Sequence, residues 1–213
     1  MEIRDIVDNV NVWGIEESIR GAKFPMSVDT QKATSSLTDG IRALAMSPKG
    51  EGHDTWLQGC LVQFDLTFTV KAWTEAERYH FLDFVSSQST MHRITRFDLD
   101  KAYIEYVDSR MIQIMKEKVV EYNEIQKSLN EEDPGSGNAY DLYKKSKEKY
   151  LEILYSNPCG MKLTARMVTN YRQLKTIYSQ RKNHKLPEWQ LFCKWLETLP
   201  HAEFICGAKN EIL

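Results

Sequence analysis

The chain has 213 residues, with 28 Lys and Arg against 30 Asp and Glu, and its formal net charge is −2. Its 42% hydrophobic and 27% charged residues are typical of a globular protein, and its length favours one domain, expected to span 1–213, or two small ones. Because no run approaches the roughly 18 uncharged residues of a membrane helix, and the amino terminus MEIRDIVDNV is too acidic for a signal peptide, we expect neither a membrane protein nor a secreted one.

The amino-terminal half contains two short helical patterns, a strand and the start of a further helix. The helical patterns cover 13–22 and 37–46. In 60–71, apolar and polar residues alternate, which predicts a long half-buried strand. The segment Thr74 to Glu77 has the form of a capping box, so we predict that a helix begins there, and that the polar segment 86–100 is a connection. The predicted helix carries its apolar side chains at Phe81, Leu82, Phe84 and Val85.

The carboxy-terminal half is predicted to be mainly helical. Apolar spacings of three and four residues predict a long amphipathic helix over 103–129, and the segment 131–138, EEDPGSGN, predicts a turn. Further helices are predicted over 139–154 and 163–180, and a last one begins at Pro187 and ends before Pro200. These elements together predict an α+β fold with a helix-rich carboxy-terminal half.

The cysteines exclude two classes of small stabilised protein. All four are scattered, with no CxxC pair and no close set of Cys and His: Cys60, Cys159, Cys193 and Cys206. This argues against a disulfide framework or a structural zinc and favours a reducing compartment, so we expect a cytoplasmic protein. We expect no metal, because neither His53-Asp54 nor Asp98 with Asp100 comes with the further ligands that a metal site needs.

Positive charge is concentrated in one part of the chain. Residues 144–194 carry a net charge of +9, which leaves −11 for the remainder. Such an excess attracts anions such as phosphate, although a run of lysines is also typical of a solvated helix face. The run KKSKEK at 144–149 fits a solvated face. The spaced Arg166, Arg172 and Arg181 fit it less well, because they lie among apolar residues.

Two clusters of polar residues are candidates for ligand binding. The first is Arg78-Tyr79-His80 with the segment 86–93, SSQSTMHR, which together offer cations and hydrogen-bond donors. The second is Asn170-Tyr171-Arg172 with Arg181 and His184. On a helix, Arg172 and Arg181 point to roughly opposite sides, because nine residues make two and a half turns. If both arginines bind ligands, they contact one long ligand, two separate ligands, or two subunits. The alternative is that each arginine simply pairs with a nearby acid.

The amino-terminal motifs have the spacing of a known enzyme family. A His-acidic-Thr turn at 53–55 precedes the predicted strand, and Phe64 in that strand lies fourteen residues before Arg78. The triplet Arg78-Tyr79-His80 is then followed by Ser89. In this arrangement the chain resembles the flavin-dependent thymidylate synthases, which have Arg-His-Arg at the triplet and a Ser shortly after it.

The carboxy-terminal motif resembles the same family more closely. The family pattern is Asn-x-Arg-x-Leu with an Arg eleven residues after the Asn, and this sequence has it at Asn170, Arg172, Leu174 and Arg181. His184 and Trp189 resemble the His and Trp that follow in the family, and Pro158 lies twelve residues before the Asn, as it does there.

The resemblance implies a fold, a reaction and an assembly. It implies an α+β fold with a central, mostly antiparallel sheet, and a homotetramer whose FAD sites are lined by several subunits. It implies transfer of a one-carbon unit from methylenetetrahydrofolate to C5 of dUMP or a related pyrimidine deoxynucleotide, with FAD carrying reducing equivalents from NADPH. Implied cofactor contacts are His53, Thr55, Arg78, Tyr79, Asn170, Arg172 and His184. Implied substrate contacts are Arg78, Gln88, Ser89 and Arg181, and implied catalytic residues are Ser89 with Arg93 or His92.

Departures from the family pattern support a different function. The middle His of the triplet is Tyr79 and its second Arg is His80, while a Gln of the pattern is Glu75 and an upstream Arg is Leu154. These changes favour a nucleotide- or flavin-binding protein that keeps the fold without thymidylate synthesis. Nucleic-acid binding through the basic helices is a third hypothesis, supported only by the tyrosines that flank 144–149, and we do not expect it.

Overall fold

The computed structural model describes residues 1–48 and 50–207, and the chain folds into two compact units. The first unit contains 1–68, 72–87 and the described residues from 164 onward, and the second contains 69–71 and 88–163. Whether these units are parts of one domain over 1–213 stays a prediction.

A four-stranded sheet organises the first unit. Its strands are β1 (Val7–Trp13), β2 (Leu61–Thr69), β3 (Asp83–Ser87) and β4 (Lys162–Asn170), in the spatial order β1-β2-β4-β3. The pairs β1 with β2 and β3 with β4 are antiparallel. Between β2 and β4, the Thr67 and Thr164 hydroxyls lie 2.7 Å apart, and Arg166 binds Asp65. The residue numbers of these contacts fall along β2 as they rise along β4, so these two strands also run in opposite directions. The expected α+β fold with an antiparallel sheet is confirmed.

The α-helices are distributed over both units. In chain order they are α1 (Ile15–Ala22), α2 (Asp39–Met46), α3 (Val70–Ala76), α4 (Thr90–Arg93), α5 (Ser109–Glu131), α6 (Gly137–Ser156), α7 (Tyr171–Arg181), α8 (Pro187–Leu196) and α9 (Glu203–Cys206). None of the helices among the described residues combines the length and the apolar composition that a membrane span requires.

The alternation of β2 predicted both the strand and its buried face. Val62, Phe64, Leu66 and Phe68 are buried, while the residues between them are partly exposed. The buried face packs on an aromatic cluster supplied by α8, in which the ring centroids of Phe68 and Trp189 lie 4.8 Å apart. Fully buried aromatic side chains of this size contribute about 2–3 kcal/mol each, so this cluster is a main source of stability for the first unit.

The second unit is a helical hairpin over a small core. The helices α5 and α6 are joined by the predicted turn, and α5 begins at Ser109 with the Asp108 carboxylate accepting the backbone N–H of Arg110. Its core includes the fully buried Met115, Ile153 and Met161. The predicted helix over 103–129 therefore begins later than expected, because Tyr103 pairs with Met161 in a β-bridge.

Two sequence predictions of helix were wrong. The helix expected to begin at Thr74 instead begins at Val70 and ends at Ala76, and 83–87 forms the edge strand β3. The helix expected over 163–180 begins only at Tyr171, because 162–170 forms β4. In both cases pairing with a neighbouring strand decides the local conformation, which a helical spacing of apolar residues does not reveal.

Candidate functional site

A buried carboxylate in the first unit holds two cations of helix α7. The Asp54 residue is only 3% exposed, and its Oδ1 accepts the Nε–H of Arg172 at 3.0 Å, while its Oδ2 accepts the Nζ–H of Lys175 at 2.8 Å. Burial alone would raise the pKa of Asp54, but hydrogen bonds and charge from Lys175 and then Arg172 hold that pKa below its ordinary value. Asp54 is therefore ionised at neutral pH and fixes both cations.

Local structure explains why α7 presents these cations together. The Asn170 side chain accepts the backbone N–H of Gln173 at 2.9 Å, so it caps the helix directly after β4 ends. Arg172 and Lys175 are three residues apart, a spacing that puts both on one side of the helix. The strand-to-helix junction thus points both side chains at the segment before β2.

The two cations differ in how many donors they have left. The ammonium of Lys175 donates to the carbonyls of Ala45 and Ser47, each at 2.8 Å, and to Asp54, so its three donors are spent. Arg172 uses only Nε, and its two terminal nitrogens have no hydrogen-bond partner among residues 1–48 and 50–207. Its side chain is 34% exposed. Lys175 is therefore structural, whereas Arg172 is held in place with two donors available.

These residues line a pocket of about 530 Å³ that lies entirely in the first unit. Its wall combines cationic, amide and hydroxyl groups with one aromatic ring, including Arg172, Asn170, Gln58, Gln173, Thr176 and Phe81. Such a donor set suits a ligand that has a planar ring with carbonyl groups and an anionic part.

Phe81 stands out in this wall because its backbone is strained. Its φ of 63° lies in the left-handed region, which costs a residue with a side chain roughly 1–2 kcal/mol. The hydroxyl of the buried Thr169 donates to the Phe81 carbonyl at 2.6 Å and holds this conformation. The residue is 63% exposed, so the strained backbone does not bury Phe81 in the core, and its side chain lines the pocket.

Arg181 at the other end of α7 has a carboxylate partner of its own. Its Nη1 donates to Glu75 at 2.6 Å and its Nε donates to the Tyr79 hydroxyl at 2.7 Å. The guanidinium also lies 4.8 Å from the Trp189 ring centroid, and the His184 Nε2 is 3.1 Å from the same Glu75 carboxylate. Arg181 is only 15% exposed, so most of its donors are occupied within the protein.

The predicted cofactor residues fall into two groups. Asn170 and Arg172 line the pocket beside Asp54. His53 and Thr55 are exposed on the turn that contains Asp54, and the Thr55 hydroxyl donates to the Gly52 carbonyl at 2.5 Å. Three further predicted cofactor residues lie elsewhere in the first unit: Arg78, Tyr79 and His184. Arg78 lines a second pocket, and Tyr79 and His184 belong with Glu75 and Arg181 to the group of contacting side chains that we call the Glu75 cluster.

This second pocket, of about 430 Å³, is lined by Arg78 and Arg181, two of the predicted substrate contacts. It shares Phe81 with the pocket beside Asp54, so one aromatic residue borders both. The remaining predicted substrate and catalytic residues belong to the second unit: Gln88, Ser89, His92 and Arg93. Their roles stay predictions.

The sequence analysis missed three residues of this arrangement. In the sequence analysis, Asp54 is treated as the acidic member of the 53–55 turn and as a rejected metal ligand, and Phe81 is treated only as an apolar residue. Lys175 carries a detectable signal, since it follows Arg172 at a helical i, i+3 spacing. Nothing in the local sequence indicates that Asp54 is their common partner, because the contact joins residues more than 100 positions apart. Within the described part of the chain, no group of three or more His, Cys, Asp or Glu is placed to hold a metal ion.

Comparison with known proteins gives a fold relationship and no close relative. No protein-family model matches the chain, and no curated protein matches it. Among solved structures, the flavin-dependent thymidylate synthase ThyX of Helicobacter pylori complexed with FAD and dUMP matches with a TM-score of 0.61 at 16% identity, covering 97% of each chain. A second structure of that protein with FAD and dUMP gives a TM-score of 0.60 at 15% identity, covering 92% of this chain and 95% of that one. The resemblance inferred from the motifs is confirmed as a shared fold.

Proposed function

Given the fold of the flavin-dependent thymidylate synthases, we propose that this protein binds FAD in the pocket beside Asp54 and transfers a one-carbon unit to C5 of a pyrimidine deoxynucleotide such as dUMP. The proposal rests above all on the hydrogen bonding of the Arg172 guanidinium. Asp54 fixes the guanidinium through Nε and leaves its two terminal nitrogens available at the pocket wall. The structural neighbours with this fold were crystallised with FAD and dUMP.

The side chains of the pocket suit the chemical groups of FAD. Arg172 is a bidentate donor of the kind that recognises phosphate oxygens. The amides of Asn170 and Gln173 and the Thr176 hydroxyl suit ring carbonyls and ribityl hydroxyls, and the exposed Phe81 ring offers a surface for a planar ring. Asp54 would hold Arg172 in place, and it would also repel an anion that came too close.

FAD, when bound, supplies the redox chemistry and takes its reducing equivalents from NADPH. The protein's own contribution is to hold the nucleotide and to polarise its pyrimidine ring through donors on the ring carbonyls, which makes C6 electrophilic and C5 nucleophilic. We propose Arg78, Gln88, Ser89 and Arg181 for nucleotide contacts. We propose Ser89 together with Arg93 or His92 as the catalytic residues. These assignments rest on the sequence resemblance, as do methylenetetrahydrofolate as the one-carbon donor and the homotetramer.

A second candidate function is favoured by the Glu75 cluster. Because Glu75 and Tyr79 occupy Arg181, that guanidinium has little left for a phosphate. A protein of this kind would bind flavin or a nucleoside-like ligand while lacking thymidylate synthesis. The two candidates share the FAD pocket and differ in turnover.

Turnover therefore tests the proposal. The protein is incubated with dUMP, methylenetetrahydrofolate and NADPH, with and without FAD, and dTMP is quantified by chromatography. We expect dTMP only when FAD is present, with loss of product for Arg172→Ala and none for Lys182→Ala, an exposed cation one position beyond α7. FAD binding without dTMP would support the binding protein, and absence of FAD binding would contradict the enzyme and every form of the second candidate that binds flavin.

A further inference from the structure

The second unit contains a pocket of its own, between helices α4, α5 and α6. It has a volume of about 890 Å³, and every residue that lines it belongs to this unit. None of the lining residues belongs to the Asp54 pocket or the Glu75 cluster, although His92, one of the two alternative catalytic candidates named above, is among them. It also contains Tyr143 and Tyr150, which flank the basic run that the proposed function leaves unexplained.

Tyrosine rings form a large part of its wall. The ring centroids of Tyr122 and Tyr150 lie 5.2 Å apart, and the Tyr150 hydroxyl donates to the Met91 carbonyl at 2.9 Å, which ties α6 to α4. Tyr143 is 49% exposed, so a face of its ring is accessible. Burial raises the pKa of Tyr150, although the positive charges of Arg96 and Arg93 act to lower it. The Tyr150 side chain is therefore neutral and does not repel an anion.

The wall is also fixed by a buried polar contact. Ser146 is 4% exposed and its hydroxyl is hydrogen-bonded to the Gln126 amide, which joins α6 to α5. Both residues line the pocket, so its floor is held by side chains that are already ordered. Pre-ordered polar groups lower the entropy cost of binding a ligand.

The charges of the pocket are not neutralised from within the protein. On α6, Lys149 pairs with Glu121 and Glu152 and points away from the pocket lining. Lys147, two positions earlier, lines the pocket, and neither it nor Arg96 forms an ion pair among the described residues. The Lys147 ammonium lies 4.6 Å from the Tyr143 ring centroid. No Asp or Glu lines the pocket, so its potential is positive.

From the combination of accessible tyrosine rings and unpaired cations, we propose that this pocket binds a planar aromatic anion. The ring of the ligand lies against the tyrosines, where flat aromatic surfaces pack well. Its anionic group, a phosphate in the form tested below, faces Lys147 and Arg96, which donate charge-assisted hydrogen bonds. The site is separate from the FAD pocket and stands whether or not the proposed function holds.

Binding is tested with 1-naphthyl phosphate as the probe, and with 1-naphthol and inorganic phosphate as its two halves. Titration calorimetry on the full chain is expected to show saturable binding of 1-naphthyl phosphate and at least tenfold weaker binding of either half, because each lacks one of the two interactions. Lys147→Ala is expected to weaken binding about threefold to tenfold, the effect of one partly exposed charge. Tyr143→Ala, at an exposed position that does not endanger folding, is expected to weaken it similarly.

Lys145→Ala is the matched control, because it removes the same charge from the opposite side of α6 and lines no part of the pocket. An equal loss of affinity in this variant would overturn the proposal by showing that only the general positive charge of α6 matters. Equal binding of 1-naphthol would overturn the anionic specificity.

Discussion

Replacing Glu75 by Gln is expected to raise the affinity of the protein for dUMP by about tenfold to a hundredfold. In the structure the Glu75 carboxylate accepts Nη1 of Arg181 and lies 3.1 Å from His184 Nε2, so it occupies the place of an anionic ligand. A Gln side chain keeps an acceptor for Arg181 and removes the negative charge that repels phosphate. The prediction presumes that Arg181 contacts the nucleotide, as the proposed function has it.

Calorimetry with dUMP and with deoxyuridine separates the charge effect from other changes. The gain is expected for dUMP and not for deoxyuridine, because only dUMP carries the phosphate. Glu77→Gln is the control, since Glu77 is exposed two positions further along the chain. A gain of equal size in Glu77→Gln, or none in Glu75→Gln, would show that Glu75 does not exclude phosphate from Arg181.

Replacing Asp54 by Asn is expected to destabilise the protein by about 2 kcal/mol at pH 7. Loss of a partner from a fully buried ion pair costs about 3–5 kcal/mol, and the value here is lower because Arg172 and Lys175 are partly exposed to solvent. The effect depends on pH with a definite sign. The pKa of Asp54 is lower in the folded protein than in the unfolded chain, so its ion pairs stabilise the fold fully above the unfolded pKa of about 4, and this stability is lost as the pH falls through the folded pKa.

Urea unfolding of both proteins at pH 7 and at about pH 3 measures this dependence. The difference in the free energy of unfolding is expected to be largest at pH 7 and to shrink at the acidic pH. Asp83→Asn, at an exposed position of the same unit, is expected to change stability by less than about 0.5 kcal/mol at either pH. A difference between Asp54→Asn and the natural protein that is independent of pH would mean that lost packing, and not the lost charge, causes it.

The sequence predicted correctly those elements that can be recognised from the residues of the segment itself. The alternation of β2 and the proline at the start of α8 each report a feature of that segment alone, and both predictions were confirmed. For β4, the buried Ala165, Met167 and Thr169 alternate as in a strand, but only Met167 of the three has a large apolar side chain, so the alternation is weak in the sequence. For β3, all five residues are exposed, so there is no buried face from which to recognise a strand.

In the candidate site too, features of one segment could be predicted from the sequence, whereas contacts between distant segments could not. The spacing of Asn170, Arg172 and Arg181 is a property of one short segment, and in the structure the two arginines have different acidic partners. Their partners, Asp54 and Glu75, come from distant segments, and sequence alone left open whether each arginine contacts a ligand or an acid. The structure shows that each has an acid, yet Arg172 keeps donors available while Arg181 is largely occupied.

Binding of FAD by the natural protein is the most direct test of the proposal that the Asp54 pocket is a flavin site. Purified protein is mixed with FAD, freed of excess cofactor by gel filtration, and examined by visible absorption and by titration. We predict retained flavin absorption and saturable binding, weakened about tenfold to a hundredfold by Arg172→Ala and unchanged by Lys182→Ala. A colourless protein that takes up no added FAD would contradict the proposal.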